Sequence, residues 1–425
     1  MARFCPDHTM PRVLLRMFFT RNITVDAILF VKYYLLILIV ATMFETTMTG
    51  SFYRTHEIEE LLKKSPTGEV GSEGKSAIEA AEKLAISDQL HPNGSKHGLT
   101  WVSNGEQRKS GYTTYVPNRF TGFSKKERVS QNFSPEFFGE LLEANPILAQ
   151  SLQEAKTLEL PKVESPLSYI GEANAKREAE EAVKIARQLG AKRVFVPAPS
   201  PGVLTVFYQP GKAYKDHQDF LFGLAKEMAK EYRAILSVDG VDLQVDSPDL
   251  AMAKSLGVDW AKDFYSVLPS HVKAINEAIA GLPTQRIRVH YCYGNYPAAH
   301  MTDPDYSRVL PEILKLKVGT IVGEMANPRH AGDPLIIGKY VRDHGWPKNM
   351  RFAAGVIDVK SPFVETPETV SIKLHNLADI DEIGPENVLG GTDCGFETFA
   401  GLGSVPKSIA LKKLESLAKG AAMGE

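Results

Sequence analysis

From about residue 166 onward, short apolar runs alternate with amphipathic stretches, the pattern of a parallel sheet covered by helices. RVFVPA (193–198), VDLQVD (241–246), RIRVHYC (286–292), GTIVGE (319–324), FAAGVID (352–358) and NVLGGTD (387–393) read as strands. Segments 171–190, 219–236 and 368–380 read as amphipathic helices between them, and 405–422 as an outer helix. Adding TTMTG (46–50) and TWVSNG (100–105) brings the strand count to eight, the number that closes a (β/α)8 TIM barrel, an α/β fold. A doubly wound open sheet uses the same alternation. No G-x-G-x-x-G follows a strand, however, which lowers a dinucleotide-binding reading. Residues 65–75 and 90–98 are rich in Gly, Ser, Pro and charge and read as surface loops.

One run departs from this pattern. AILFVKYYLLILIVATM (27–43) is almost continuously apolar and follows Arg3, Arg12, Arg16 and Arg21, as in a signal anchor. It sits at the short limit for a membrane span, and Lys32 lies inside it. ETTMTGS (45–51) already reads as a barrel strand and its loop, which leaves no linker. The expectation is therefore a hydrophobic N-terminal extension over 1–42, outside the functional domain, and a barrel over 43–425 with Met43 as a natural start. The protein is then cytoplasmic, with a membrane anchor through 27–43 as the alternative.

Composition narrows the function classes. Of 425 residues, 43% are hydrophobic and 24% charged, enough to bury a substantial core. A formal net charge of −2 provides no basic footprint for phosphates, so nucleic acid is excluded as the expected partner and small molecules are favoured. Three cysteines, Cys5, Cys292 and Cys394, cannot build a disulfide framework, which fits a reducing compartment.

Two of those cysteines lie where chemistry is expected. His290 and Cys292 are two residues apart at the end of a strand, so their side chains share a face. Cys394 follows the last strand, and in a parallel barrel all strand C-termini converge on one rim. Two thiolates and an imidazole suit Zn2+ and leave room for a substrate. Glu324, at the end of GTIVGE, is a candidate fourth ligand, or else a strand-end carboxylate paired with a neighbour such as Arg329.

VHYCYGNY (289–296), GEMANPR (323–329), GVIDVKSP (355–362) and GGTDCGFET (390–398) resemble the catalytic barrel of the cobalamin-independent methionine synthase family, from about residue 44 to the C-terminus. The resemblance implies zinc on His290, Cys292, Glu324 and Cys394, taking up homocysteine as a thiolate for methylation. It also implies substrate binding by Gly50 and Ser51 in TGSFYRT (49–55), by Glu106 in SNGEQRKSGY (103–112), and by Asp246 in LQVDSPDLA (243–251). Ser247 stands where the family commonly has Glu. Lys360 occupies the place of a histidine to which protonation of the departing folate is ascribed, so a catalytic role for Lys360, with Asp246, is a separate expectation. The larger synthases carry an additional amino-terminal half that this chain is too short to hold. Methyl or alkyl transfer to a small thiol is the leading expectation. Epoxide opening of the coenzyme M transferase type and a non-catalytic zinc-stabilised barrel are the alternatives.

Overall fold

The computed structural model describes residues 44–64, 72–130, 134–147, 149–150, 159–252 and 257–423. The apolar run at 27–43 and the proposed 1–42 extension lie outside them. Among the described residues no helix is long and apolar enough to cross a membrane.

Among the described residues there are ten strands. Eight form one parallel sheet: β1 (Glu45–Thr46), β2 (Trp101–Ser103), β5 (Arg193–Pro199), β6 (Val241–Asp246), β7 (Ile287–Tyr291), β8 (Thr320–Glu324), β9 (Arg351–Ile357) and β10 (Val388–Thr392). The order β1-β10-β9-β8-β7-β6-β5-β2 wraps the first strand onto the last. The seam between β1 and β2 is closed by the Thr100 N–H donating to Thr46 O at 3.1 Å and the Thr46 N–H donating to Thr100 Oγ1 at 2.8 Å. The result is a nearly closed (β/α)8 barrel, and all eight expected strands are in it.

The strands are buried on both faces: every residue of β6, β7, β8 and β10 is buried, including the polar positions that alternate with apolar ones in β6 and β7. Pro201–Phe207 is buried all round, whereas longer outer helices bury a stripe. In Glu172–Gln188, Ala175, Ala179, Ala182 and Ala186 recur at helical spacing against the sheet. Inside the barrel Trp101, Val322, Ala353 and Leu389 pack as one layer. Arg288, 1% exposed, lies over the Phe195 ring at 4.2 Å and donates to Thr47 Oγ1 and Met48 O. The barrel is therefore a filled core, and open space is confined to its rim.

Two features differ from the sequence expectation. The segment 65–75, read as a loop, contributes Ser72 onward to the helix Ser72–Leu90. An antiparallel pair, β3 (Phe120–Ser130) and β4 (Glu159–Tyr169), stands outside the barrel sheet. Both strands were missed because their solvent side is charged and Pro161 and Pro166 interrupt β4.

Candidate metal and substrate site

The β-strand register brings distant residues to one rim. Asp246 and His290 are partners on β6 and β7, and Glu324 pairs with Gly355 on β8 and β9. His290 lies inside β7, Cys292 one residue past its end, and Cys394 two residues past the end of β10. Ligand atoms of His290, Cys292 and Cys394 all lie within 4.8 Å of one another, and all three residues are buried. This is the only cluster of at least three such groups among the described residues.

The backbone around Cys394 is held tightly. Thr392 Oγ1 donates to Cys394 O at 2.8 Å and accepts from the Thr49 N–H at 2.9 Å, tying β10 to the loop after β1. A β-carbon on Gly395 would lie 2.0 Å from Ser51 Oγ, so only glycine lets the two loops close on each other. Asn295 donates to Gly395 O at 2.8 Å and locks the loop after β7 to the same point.

Asp246 Oδ1 meets His290 Nδ1 at 3.1 Å and accepts from Gln244 Nε2 at 2.7 Å. A carboxylate on one ring nitrogen orients the ring, while the other nitrogen, Nε2, lies 3.1 Å from the Asp393 carbonyl oxygen, a contact that an ion bound at Nε2 would replace. Burial opposes the imidazolium, yet hydrogen bonds with Asp246 and Cys394 raise His290 to about 10. The hydrogen bond with Cys292, together with burial, pushes the Cys394 thiol well up. The donor set is thus one oriented imidazole and two adjacent thiols, all buried, chemistry that fits Zn2+.

Glu324 stands apart from that cluster. Its Oε2 accepts from the Tyr293 N–H at 2.9 Å and its Oε1 from Lys360 Nζ at 2.9 Å. Lys360 also donates to Asp393 Oδ2 and lies 3.9 Å from Asp358. Asp393 Oδ1 in turn accepts from the Val359 N–H at 3.0 Å. Burial disfavours the Lys360 ammonium, but Asp393 and Glu324 outweigh it and hold the group well above its ordinary range. Asp393 was not singled out from the sequence. Its place directly before Cys394 was the available signal. Arg329, the local partner considered for Glu324, is replaced by Lys360 from the loop after the neighbouring strand β9.

A cleft of about 1060 Å³, counted with its open mouth, leads to the cysteines. Gly50, Ser51, Glu106, Asp246, His290, Cys292 and Cys394 all line it. Glu324 and Lys360 do not. Gly50 adopts φ +43°, and a β-carbon there would lie 2.6 Å from Glu106 Oε1. Glu106 has φ +55°, is 2% exposed, and its Oε2 finds no hydrogen-bond partner. Burial pushes Glu106 up to about 7; Lys109 opposes this and the nearby Asp246 adds to it.

Comparison with known proteins agrees with this geometry, although no family model matches the chain. It is 25% identical over 385 residues to the methionine synthase of Sulfolobus acidocaldarius, covering 89% of this chain and 91% of that one. It is 24% identical over 377 residues to the methionine synthase of Sulfurisphaera tokodaii, covering 88% and 90%. Among solved structures, a B12-independent methionine synthase from a Shewanella species, in complex with selenomethionine, superimposes with a TM-score of 0.62 at 19% identity. That match covers 89% of this chain and 97% of the other. Along nearly the full length of both partners the chain is thus similar to methionine synthases in sequence and shares its fold with a B12-independent methionine synthase, and the rim of its barrel gathers the His-x-Cys and the distal Cys.

Proposed function

We propose that the chain transfers a methyl group to the thiol of homocysteine, forming methionine, at a zinc ion held by His290, Cys292 and Cys394. The observation that carries this reading is the approach of those three ligand atoms to within 4.8 Å at the floor of a cleft lined by Glu106 and Asp246. Zinc bound there supplies a Lewis acid that lowers the pKa of an incoming thiol and keeps its sulfur available for attack on an alkyl carbon.

The chain's own residues supply the rest. Asp246 aims the His290 ring and, with Glu106, offers negative charge to the substrate α-ammonium. A buried carboxylate oxygen without a partner is costly until such a donor arrives, so Glu106 is preorganised for a cation. Gly50 and Ser51 bring the loop after β1 to the cleft wall, where they accommodate the amino-acid end. Phe137, Phe207 and Phe399 wall off water around the reacting sulfur. Glu324 would have to leave Lys360 and the Tyr293 N–H to reach an ion, so the resting donor set is the three-residue one. Lys360, committed to two carboxylates, acts through them as a positioning residue.

The test is metal analysis with product detection. Zinc-loaded protein given homocysteine and a methyl donor forms methionine, whereas a folded Cys394→Ser variant loses both zinc and product. Full zinc retention in that variant refutes the ligand set. Product only from a thiol plus an epoxide transfers the site to the ring-opening reading.

A further inference from the structure

Four buried ionisable side chains that the chemistry above leaves unused stand in single file beside the loop after β7. The side chains of His300, Asp303, His330 and Asp333 are at most 6% exposed. Asp333 Oδ2 meets His330 Nδ1 at 3.1 Å, Asp303 Oδ2 meets His330 Nε2 at 3.0 Å, and Asp303 Oδ1 meets His300 Nδ1 at 3.2 Å. The file ends at His300 Nε2, 2.9 Å from the Tyr296 carbonyl oxygen. Every imidazole nitrogen thus faces a carboxylate or carbonyl oxygen, so both rings donate from both nitrogens and charge alternates along the file. Burial opposes each imidazolium, yet hydrogen bonds with Asp303 and Asp333 raise His330 to about 9, and the bond with Asp303 raises His300. A buried network in which each imidazole has both partners is rigid.

The two imidazoles carry the loop after β7. The His330 ring stacks on Tyr293 with centroids 3.6 Å apart, and the His300 ring on Tyr296 at 4.2 Å. Tyr293 directly follows Cys292, and Asn295, between the two tyrosines, donates to the carbonyl of Gly395, next to Cys394. His330 belongs to the turn Pro328–His330 after β8, and Asp333 opens the helix Asp333–His344, so the file fastens the Cys292 loop to the next βα unit. His300 holds φ +56°, a left-handed conformation that a histidine keeps only where its surroundings impose it. We infer that the His300–Asp303–His330–Asp333 file is a positioning device for the metal site, fixing the Cys292–Tyr296 segment and with it the approach of the Cys292 thiolate to an ion shared with His290 and Cys394. This rests on the metal reading proposed above and extends it. None of the four lines the cleft, so they act through the loop and not on substrate.

Metal release and a ligand-field spectrum test the inference together. An Asp303→Asn amide can accept from one imidazolium only and turns its NH2 toward the other, which breaks the file at its centre. In zinc-loaded protein challenged with a chelator, the folded variant should release zinc about tenfold faster, the scale of loss for groups that orient ligands. His300→Asn suits the left-handed backbone and cuts the file at one end, so it should speed release by about threefold. With Co2+ in place of zinc, both variants should lose part of the thiolate-to-cobalt charge-transfer absorption. The control is Glu231→Gln, which breaks a different buried group, with Arg119 and Tyr115. It should cost stability while leaving release and absorption at wild-type values. Wild-type behaviour in folded Asp303→Asn or in folded His300→Asn overturns the inference. So does equal acceleration in Glu231→Gln, which would make the effect one of general stability. A wild-type protein without the thiolate-to-cobalt band removes the metal reading and the inference together, whereas a normal band with unchanged variants removes the inference alone.

Discussion

Two groups of buried carboxylates flank the cysteines, and they are opposites. Outside the cleft lining, Glu324 and Asp393 are fully partnered, by Lys360, the Tyr293 N–H and the Val359 N–H. On the cleft side, Glu106 leaves Oε2 without a partner, while burial pushes Glu106 and Asp393 alike up to about 7. Burial is nearly the same, since Glu324 is 0% and Glu106 2% exposed. Partnering therefore separates the two. A satisfied buried ion pair is scaffold, and its removal damages the fold. An unsatisfied buried carboxylate costs stability and is retained for a ligand.

The most forceful way to break that contrast is Lys360→Met. It strands two buried carboxylates and should lower unfolding free energy by about 3 to 5 kcal/mol, read by denaturant titration. A loss below about 1 kcal/mol would remove Lys360 from the scaffold. Asp246→Asn should weaken zinc affinity by about 10- to 100-fold in chelator competition, because the His290 ring loses the group that orients it. Glu106→Gln should leave stability unchanged or raised by about 1 kcal/mol while raising the KM for homocysteine at least about tenfold. Equal damage to folding would place Glu106 with the scaffold.

The smallest effect concerns pH. The form of Glu106 that accepts an ammonium is the carboxylate, so the KM for homocysteine should fall about tenfold as pH rises from one unit below 7 to one unit above. In the empty protein the sign is reversed. A carboxyl whose folded pKa is raised contributes stability below about 4.5, and that contribution is lost as pH rises through about 7. Glu106→Gln should flatten both profiles. A KM that stays constant across this window contradicts the assignment.

Legibility followed the physics. VDLQVD matches β6 residue for residue, because Val241, Leu243 and Val245 alternate with Asp242, Gln244 and Asp246 at the two-residue period of a strand. The His290-x-Cys292 pair and Cys394 were legible because strand ends converge on one rim. The pair β3 and β4 was not, since its exposed, proline-interrupted strands carry no clean alternation and 28 residues separate them. Lys360 as the partner of Glu324 was also out of reach: the residues are 36 apart in sequence and meet only through the β8–β9 register. The unpaired state of Glu106 depends on what faces it across the cleft, which no local pattern encodes.

The central claim is that a thiol substrate joins an ion held by one imidazole and two thiolates, His290, Cys292 and Cys394. X-ray absorption at the zinc edge, before and after addition of homocysteine, tests it directly. The account predicts two sulfur neighbours and one imidazole nitrogen in the resting protein, and a third sulfur at about 2.3 Å once homocysteine is present. An unchanged sulfur count on addition of the thiol would contradict it.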